Sequence, residues 1–192
     1  MDINIYVARA GSDLRLSARL LLCQVLDEPL LPGAIVREVT LNNTRLLPLD
    51  FTPDTYGKPF AAGVHGRHVS WSHSGSYVAV ALCERPCGVD VEFADGDVVR
   101  RRFMPHEQAL PLSTTAIWVM KESLLKCAGV GLMRLSHCVI EPGESEEGYQ
   151  AHVDGVAMHT WVWPFAHGFV GAAALDADVP HHPVFHAPPK SA

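Results

Sequence analysis

No run of apolar residues approaches the ~18 to 20 that a membrane-spanning helix needs, and the stretch from Leu20 to Cys23 is far too short. No basic-then-apolar leader opens the chain, so the expectation is a cytoplasmic protein without membrane association. Cysteine is sparse: Cys23, Cys83, Cys87, Cys127 and Cys138 make an odd number with no dense spacing, which argues against a disulfide framework and for reduced thiols. Positive charge is also short, with 15 Lys and Arg against 21 Asp and Glu. The deficit is local. From Glu141 onward seven acidic residues face a single lysine, so residues 1–140 are balanced. The basic footprint of a nucleic-acid binder is missing, and Arg100-Arg101-Arg102 is a local positive patch suited to an acidic partner. There is no residue-level repeat.

What is present, 192 residues of which 48% are apolar and 19% charged, is enough for a respectable core in one domain or two small halves. Ile3–Ala8 reads as a strand and Ser12–Leu26 as a helix capped by Ser12 or Asp13. Ala34–Leu41 and Thr44–Leu49 read as a hairpin across Asn42-Asn43, and 50–63 as a loop rich in proline and glycine. His68–Ser72 and Tyr77–Leu82 are strands around a tight turn, His73-Ser74-Gly75-Ser76. A strand follows from Gly88, then a short helix over Asp97–Phe103 and another from Pro105. A longer helix starts at Thr114 or Thr115 and stops at Gly129. Leu135–Ile140, Tyr149–Val153, Val156–Trp163 and Phe169–Leu175 are strand-like, with Asp154-Gly155 a strong hairpin signal. The order strand, helix, strands thus occurs twice. The expected fold class is α+β, with two similar α/β half-domains (1–86 and 87–176) related by a pseudo-twofold, an active site in the cleft between them, and a flexible tail over 177–192.

The chemistry concentrates in two stretches. In Gly88-Val89-Asp90-Val91-Glu92 strand alternation turns both carboxylates to one face and both valines to the other. In Trp118–Lys126 a helix places Glu122 and Lys126 on one face, with Trp118 one turn back. If strand and helix pack together, three carboxylates and an ammonium meet, a set suited to a hard divalent cation and a pyrophosphate. Each part alone is commonplace. A Glu four residues before a Lys is a frequent surface pair worth ~0.2 to 0.5 kcal/mol, Asp90 and Glu92 suit the wet face of an edge strand, and Trp118 suits a core. Cys83, Cys87, His65 and His68 contain zinc-ligand types, but their spacing is poor for a compact site.

Five motifs in order lift the functional reading: Tyr56-Gly57-Lys58-Pro59, Ser70-Trp71-Ser72-His73-Ser74, Gly88–Glu92, Arg102-Phe103, and Trp118–Lys126 followed by Gly129-Val130-Gly131-Leu132. With Gly168–Ala174 as a final core strand, they resemble the phosphopantetheinyl transferase superfamily, in its longer, pseudo-dimeric, surfactin-synthetase-activating branch. The resemblance implies transfer of the 4′-phosphopantetheine arm from coenzyme A to a serine of an acyl or peptidyl carrier protein, serving fatty-acid, polyketide or nonribosomal peptide synthesis and releasing adenosine 3′,5′-bisphosphate. It implies Mg²⁺ or Mn²⁺, held by Asp90 and Glu122 with Glu92 as third ligand. Glu122, directly or through a water, is the implied base, and Lys126 neutralises a pyrophosphate oxygen. Ser72 and His73 are implied contacts of the coenzyme A 3′-phosphate, and Lys58 of the nucleotide pocket. The role of Lys121 stays open, as does the choice among Arg9, Arg15 and Arg19 for a phosphate contact.

One departure from the family pattern is the short interval between Phe103 and Trp118, where relatives help receive the carrier. Carrier recognition is then either minimal or reliant on Arg100–Arg102 with the apolar neighbours Phe103 and Met104. The alternative reading is a non-catalytic module that binds coenzyme A or a carrier protein. Two fused halves let a monomer build the whole site.

Overall fold

A computed structural model describes residues 2–42, 52–53, 59–60, 67–94, 103–145, 148–165 and 167–176. Lys58, Arg100–Arg102, His65, the expected strand Thr44–Leu49 and the expected tail lie outside these residues, as does nearly all of the expected helix Asp97–Phe103. The first sheet has the order β2-β1-β6-β5, with β1 Ile3–Arg9, β2 Ala34–Glu38, β5 His68–Ser74 and β6 Tyr77–Cys83. The second has the order β7-β11-β10-β9-β8, with β7 Cys87–Phe93, β8 Cys138–Ser145, β9 Gly148–Val153, β10 Val156–Phe165 and β11 Gly168–Leu175. A two-residue pairing joins β3 (Thr52–Pro53) to β4 (Pro59–Phe60). The helices are α1 Leu14–Val25, α2 Pro105–Gln108 and α3 Thr114–Ala128. The fold is mixed α+β.

Side-chain alternation explains the layering. In β1 and β6 both faces are apolar, so Ile3, Ile5, Val7, Ala79 and Ala81 point one way while Tyr6, Val78, Val80 and Leu82 point the other. The first set meets Val89, Val91, Val170, Ala172 and Ala174 of the second sheet in a core between the sheets. The second set packs under α1, where Ala18, Leu21, Leu22 and Val25 form one apolar stripe. Asp13 starts α1, its carboxylate accepting from Leu16 N–H at 2.9 Å. On the far face of the second sheet α3 buries Met120 and Leu124 against Ile140, Ala151, Met158 and Ala173. The layers therefore run α1, first sheet, second sheet, α3.

Helix α3 is cut cleanly from the chain. Ser113 Oγ accepts from Ala116 N–H at 3.1 Å, and Gly129 closes the other end at φ 70°. It lies close to the sheet because β7 and β11 present glycines, Gly88 and Gly171, at the points of closest approach. A Cβ at Gly88 would sit 1.9 Å from the Ser123 carbonyl oxygen, and one at Gly171 2.6 Å from backbone of Val119. This approach sets Glu122 and Lys126 against β7.

Three expectations change. Leu135–Ile140 is not one strand: Leu132–His137 is a 3₁₀ turn and β8 begins at Cys138. The turn is closed by Arg134 N–H on the Gly131 carbonyl at 3.0 Å, and it drops Leu135 into the α3 core while Leu132 and Met133 stay exposed. Strand β2 ends at Glu38 and runs parallel to β1, reached through α1 as a right-sized crossover unit. His73 and Ser74 lie in β5, so the turn to β6 is only Gly75-Ser76. Asp154-Gly155 does form the β9–β10 turn, both residues at positive φ (51° and 80°).

Gly88→Ala should lower stability by about 1–3 kcal/mol, because the added methyl meets backbone rather than a movable side chain. Chemical denaturation measures it, and an unchanged midpoint would contradict the close helix–strand contact.

Candidate functional site

The site forms where the free edge of β7 meets β5 of the other sheet, under α3. Valines 89 and 91 of β7 go into the inter-sheet core, so alternation sends Asp90 and Glu92 toward the α3 side. Asp90 is only 2% exposed. Its Oδ1 accepts from Lys126 Nζ at 2.5 Å and from Ser72 Oγ at 2.7 Å, and Lys126 Nζ also donates to Ser72 Oγ at 2.9 Å. Side chains of both sheets and of α3 thus meet in one triangle. The other oxygen, Asp90 Oδ2, is buried and has no hydrogen-bond partner among the described residues. A buried carboxylate oxygen left without a donor costs free energy unless something satisfies it.

Glu92, half-buried, accepts from Ser74 Oγ at 2.6 Å. Glu122 stands one helical turn before Lys126, and its carboxyl is pushed up to about 7. Burial is the main cause; the Asp90 and Glu92 charges add to it, while Lys126 and a side-chain hydrogen bond from Trp118 oppose it. Three carboxylates therefore share one field with one ammonium, and the set is short of positive charge. Among the described residues no three His, Cys, Asp or Glu side chains converge as a ready-made metal cage. A hard cation held by one or two carboxylates, with waters and phosphate oxygens completing its shell, needs no such cage.

Ser72 is in the cluster. His73, its neighbour on β5, is exposed, and alternation turns it to the opposite face from Ser72. Trp118 is partly buried beside the α3 core, 6.5 Å from Phe103 between ring centroids. All five cysteines are buried.

Lys121 has a definite place. It is buried, and its Nζ lies 2.7 Å from each carboxylate oxygen of Glu107, itself fully buried on α2. Glu107 also accepts from Met104 N–H at 2.8 Å and Ile140 N–H at 3.0 Å. This pair ties α2 and β8 to the helix that carries Glu122. Glu107 was not among the residues expected from sequence. The one available signal is its position as third residue of a helix opened by Pro105, where a carboxylate reaches back to the preceding N–H.

The fold and site together define a two-sheet α+β protein with a carboxylate–ammonium cluster at a strand–helix junction. Comparison with known proteins places it more narrowly. The chain is a distant homologue of Sfp-type 4′-phosphopantetheinyl transferases over about half its length. It is 34% identical over 96 residues to a 4′-phosphopantetheinyl transferase of Bacillus subtilis, covering 44% of this chain and 43% of that protein. It is 31% identical over 117 residues to 4′-phosphopantetheinyl transferase Sfp of Bacillus subtilis strain 168, covering 54% and 52%. It is 27% identical over 120 residues to 4′-phosphopantetheinyl transferase gsp of Aneurinibacillus migulanus, covering 56% and 48%. The chain spans about half the length of the curated relatives it matches. No protein-family model matches it. No helix among the described residues is long and apolar enough to cross a membrane.

Two outcomes follow from the charges. For Glu122 the folded-state value lies above its ordinary 4.5, so the folded chain holds a proton there that the unfolded chain loses. Stability then falls as pH rises from about 4.5 to about 7. Glu122→Gln should remove that fall in ligand-free protein, raising the melting temperature at pH 8 relative to wild type more than at pH 5. Equal effects at both pH values would contradict it. Lys121→Met leaves Glu107 buried and unpaired and should cost about 3–5 kcal/mol in a denaturation titration; a loss below about 1 kcal/mol would show that the pair does not hold α2.

Proposed function

We propose that the protein is a 4′-phosphopantetheinyl transferase: it moves the phosphopantetheine arm of coenzyme A to a serine of an acyl or peptidyl carrier protein. The observation that carries this reading is the buried, unpartnered Asp90 Oδ2 beside Lys126, in a field of three carboxylates. Such a set calls for added positive charge, and the relatives bear the name of this activity. The two halves, 1–86 and 87–176, build the site jointly in a cleft between them, related by a pseudo-twofold. In support of a shared site, Ser72 and Ser74 come from one sheet and Asp90 and Glu92 from the other.

Asp90 and Glu122, with Glu92 as third, would hold Mg²⁺ or Mn²⁺. The free Asp90 oxygen and the excess of carboxylates fit a hard divalent cation. Bound there, it supplies Lewis-acid polarisation of pyrophosphate oxygens and a template for them. This chain's own residues do the rest. Glu122 takes the proton from the carrier serine hydroxyl as its oxygen attacks the β-phosphorus. The bond from that phosphorus to the bridging oxygen breaks, and adenosine 3′,5′-bisphosphate leaves with the electron pair. Lys126 offsets charge growing on the pyrophosphate oxygens. His73 and Lys58 contact the nucleotide end, with Ser72 close by; its hydroxyl is already engaged with Asp90 and Lys126. Arg100–Arg102 with the partly exposed Met104 receives the carrier, while Phe103, also expected there, is buried in the α3 core. The protein works in the cytoplasm as a monomer.

Incubation with coenzyme A, Mg²⁺ and an apo carrier protein should add about 340 Da to the carrier, the mass of the arm. Glu122→Gln should abolish this transfer while retaining most coenzyme A binding. Coenzyme A binding by calorimetry with no mass gain on any of several carriers would favour the non-catalytic binding module instead.

A further inference from the structure

The edge strands β5 and β7 belong to different sheets, yet three alternate serines of β5 reach across to β7. Ser70 Oγ accepts from Val89 N–H at 3.1 Å, Ser72 Oγ donates to Asp90 Oδ1 at 2.7 Å, and Ser74 Oγ donates to Glu92 Oε2 at 2.6 Å. Strand alternation puts the three on one face of β5. The seam is made of side-chain hydroxyls where a sheet would have a backbone ladder, and its last two rungs end on the carboxylates of the site.

The last rung differs from the one before it. Asp90 is fixed twice, by Ser72 and by Lys126 on the same oxygen. For Glu92 the Ser74 hydroxyl is the hydrogen bond observed to its carboxylate. Glu92 sits toward the end of β7, half-buried, with one more side-chain torsion than aspartate. A glutamate so placed adopts many rotamers unless a neighbour selects one, and ordering it costs side-chain entropy. A hydroxyl donor to one oxygen selects a rotamer and leaves the other oxygen free.

We propose that Ser74 is a positioning residue: it crosses from the first sheet to hold Glu92 in the rotamer that completes a divalent-cation site with Asp90 and Glu122. The inference rests on the cation reading of the site given above. Ser74 itself touches neither cation nor substrate. Hydrogen-bond partners that orient metal-ligating carboxylates typically contribute 10- to 100-fold to metal affinity, and the loss expected here is at the lower end because Glu92 is one of three.

The test uses the full chain and Mn²⁺ as probe, read by electron paramagnetic resonance of free Mn²⁺ with coenzyme A present, so that catalysis is not the readout. Ser74→Ala should weaken Mn²⁺ binding about 10-fold. Ser74→Thr, which keeps the hydroxyl, should restore it. In a Glu92→Gln background the further loss from Ser74→Ala should vanish, because the serine then has no ligand to orient. Wild-type Mn²⁺ affinity in Ser74→Ala, or the same loss with and without Glu92, would overturn the positioning role while leaving the cation site standing. A wild-type chain that binds no Mn²⁺ would overturn both.

Discussion

Everything in the site depends on how closely α3 lies on β7. Two glycines, Gly88 and Gly171, let the helix backbone come down on the sheet where a methyl group would collide with main chain. Lys126 then reaches Asp90, and burial, with the charges of Asp90 and Glu92 adding to it, raises the Glu122 carboxyl above its ordinary value. A helix raised by the size of one methyl would loosen all of these contacts together. Packing, not the ion pair, is therefore the prior constraint: the apolar face of α3 is buried across the whole sheet, and the charged groups inherit their positions from it.

That order of causes explains why two ion pairs on one helix, one buried on both sides and one with a partly exposed lysine, play different parts. Lys121 and Glu107 are mutually satisfied, and Glu107 also takes two backbone donors, so the pair has little left to offer a ligand. Lys126 and Asp90 form the opposite case. Their contact leaves Asp90 Oδ2 buried without a donor, and two more carboxylates lie within its field. Buried ion pairs gain little net stability. One that also leaves an acceptor unsatisfied makes better sense as a site than as a strut.

Much of this was legible in the sequence, for identifiable reasons. Alternation in Gly88–Glu92 and the four-residue spacing of Glu122 and Lys126 depend on local geometry alone, and both held: the strand, the helix and its Gly129 stop are where the pattern puts them. The layers on either side of the sheets were less visible, because β1 and β6 are apolar on both faces and alternation then carries no directional signal. The segment after α3 was misread as strand because Leu135 to Ile140 alternates loosely, while the turn that Gly131 and Arg134 close is a local hydrogen bond that no apolar period reports. Contacts distant in sequence were least visible: Glu107 with Lys121, and Ser72 and Ser74 with the carboxylates, span 14 to 18 residues. The alternate serines of β5 were in view, but only the meeting of two sheet edges gives them a purpose.

The account turns on whether Asp90 is an open ligand site or one end of a structural ion pair. Thermal unfolding of wild type and Asp90→Asn, each with and without coenzyme A plus Mg²⁺, tests this most directly, since a ligand that binds only the folded chain raises its melting temperature. The account predicts a clear upward shift for wild type and little or none for Asp90→Asn. Equal shifts in the two proteins, or no shift in either, would contradict it.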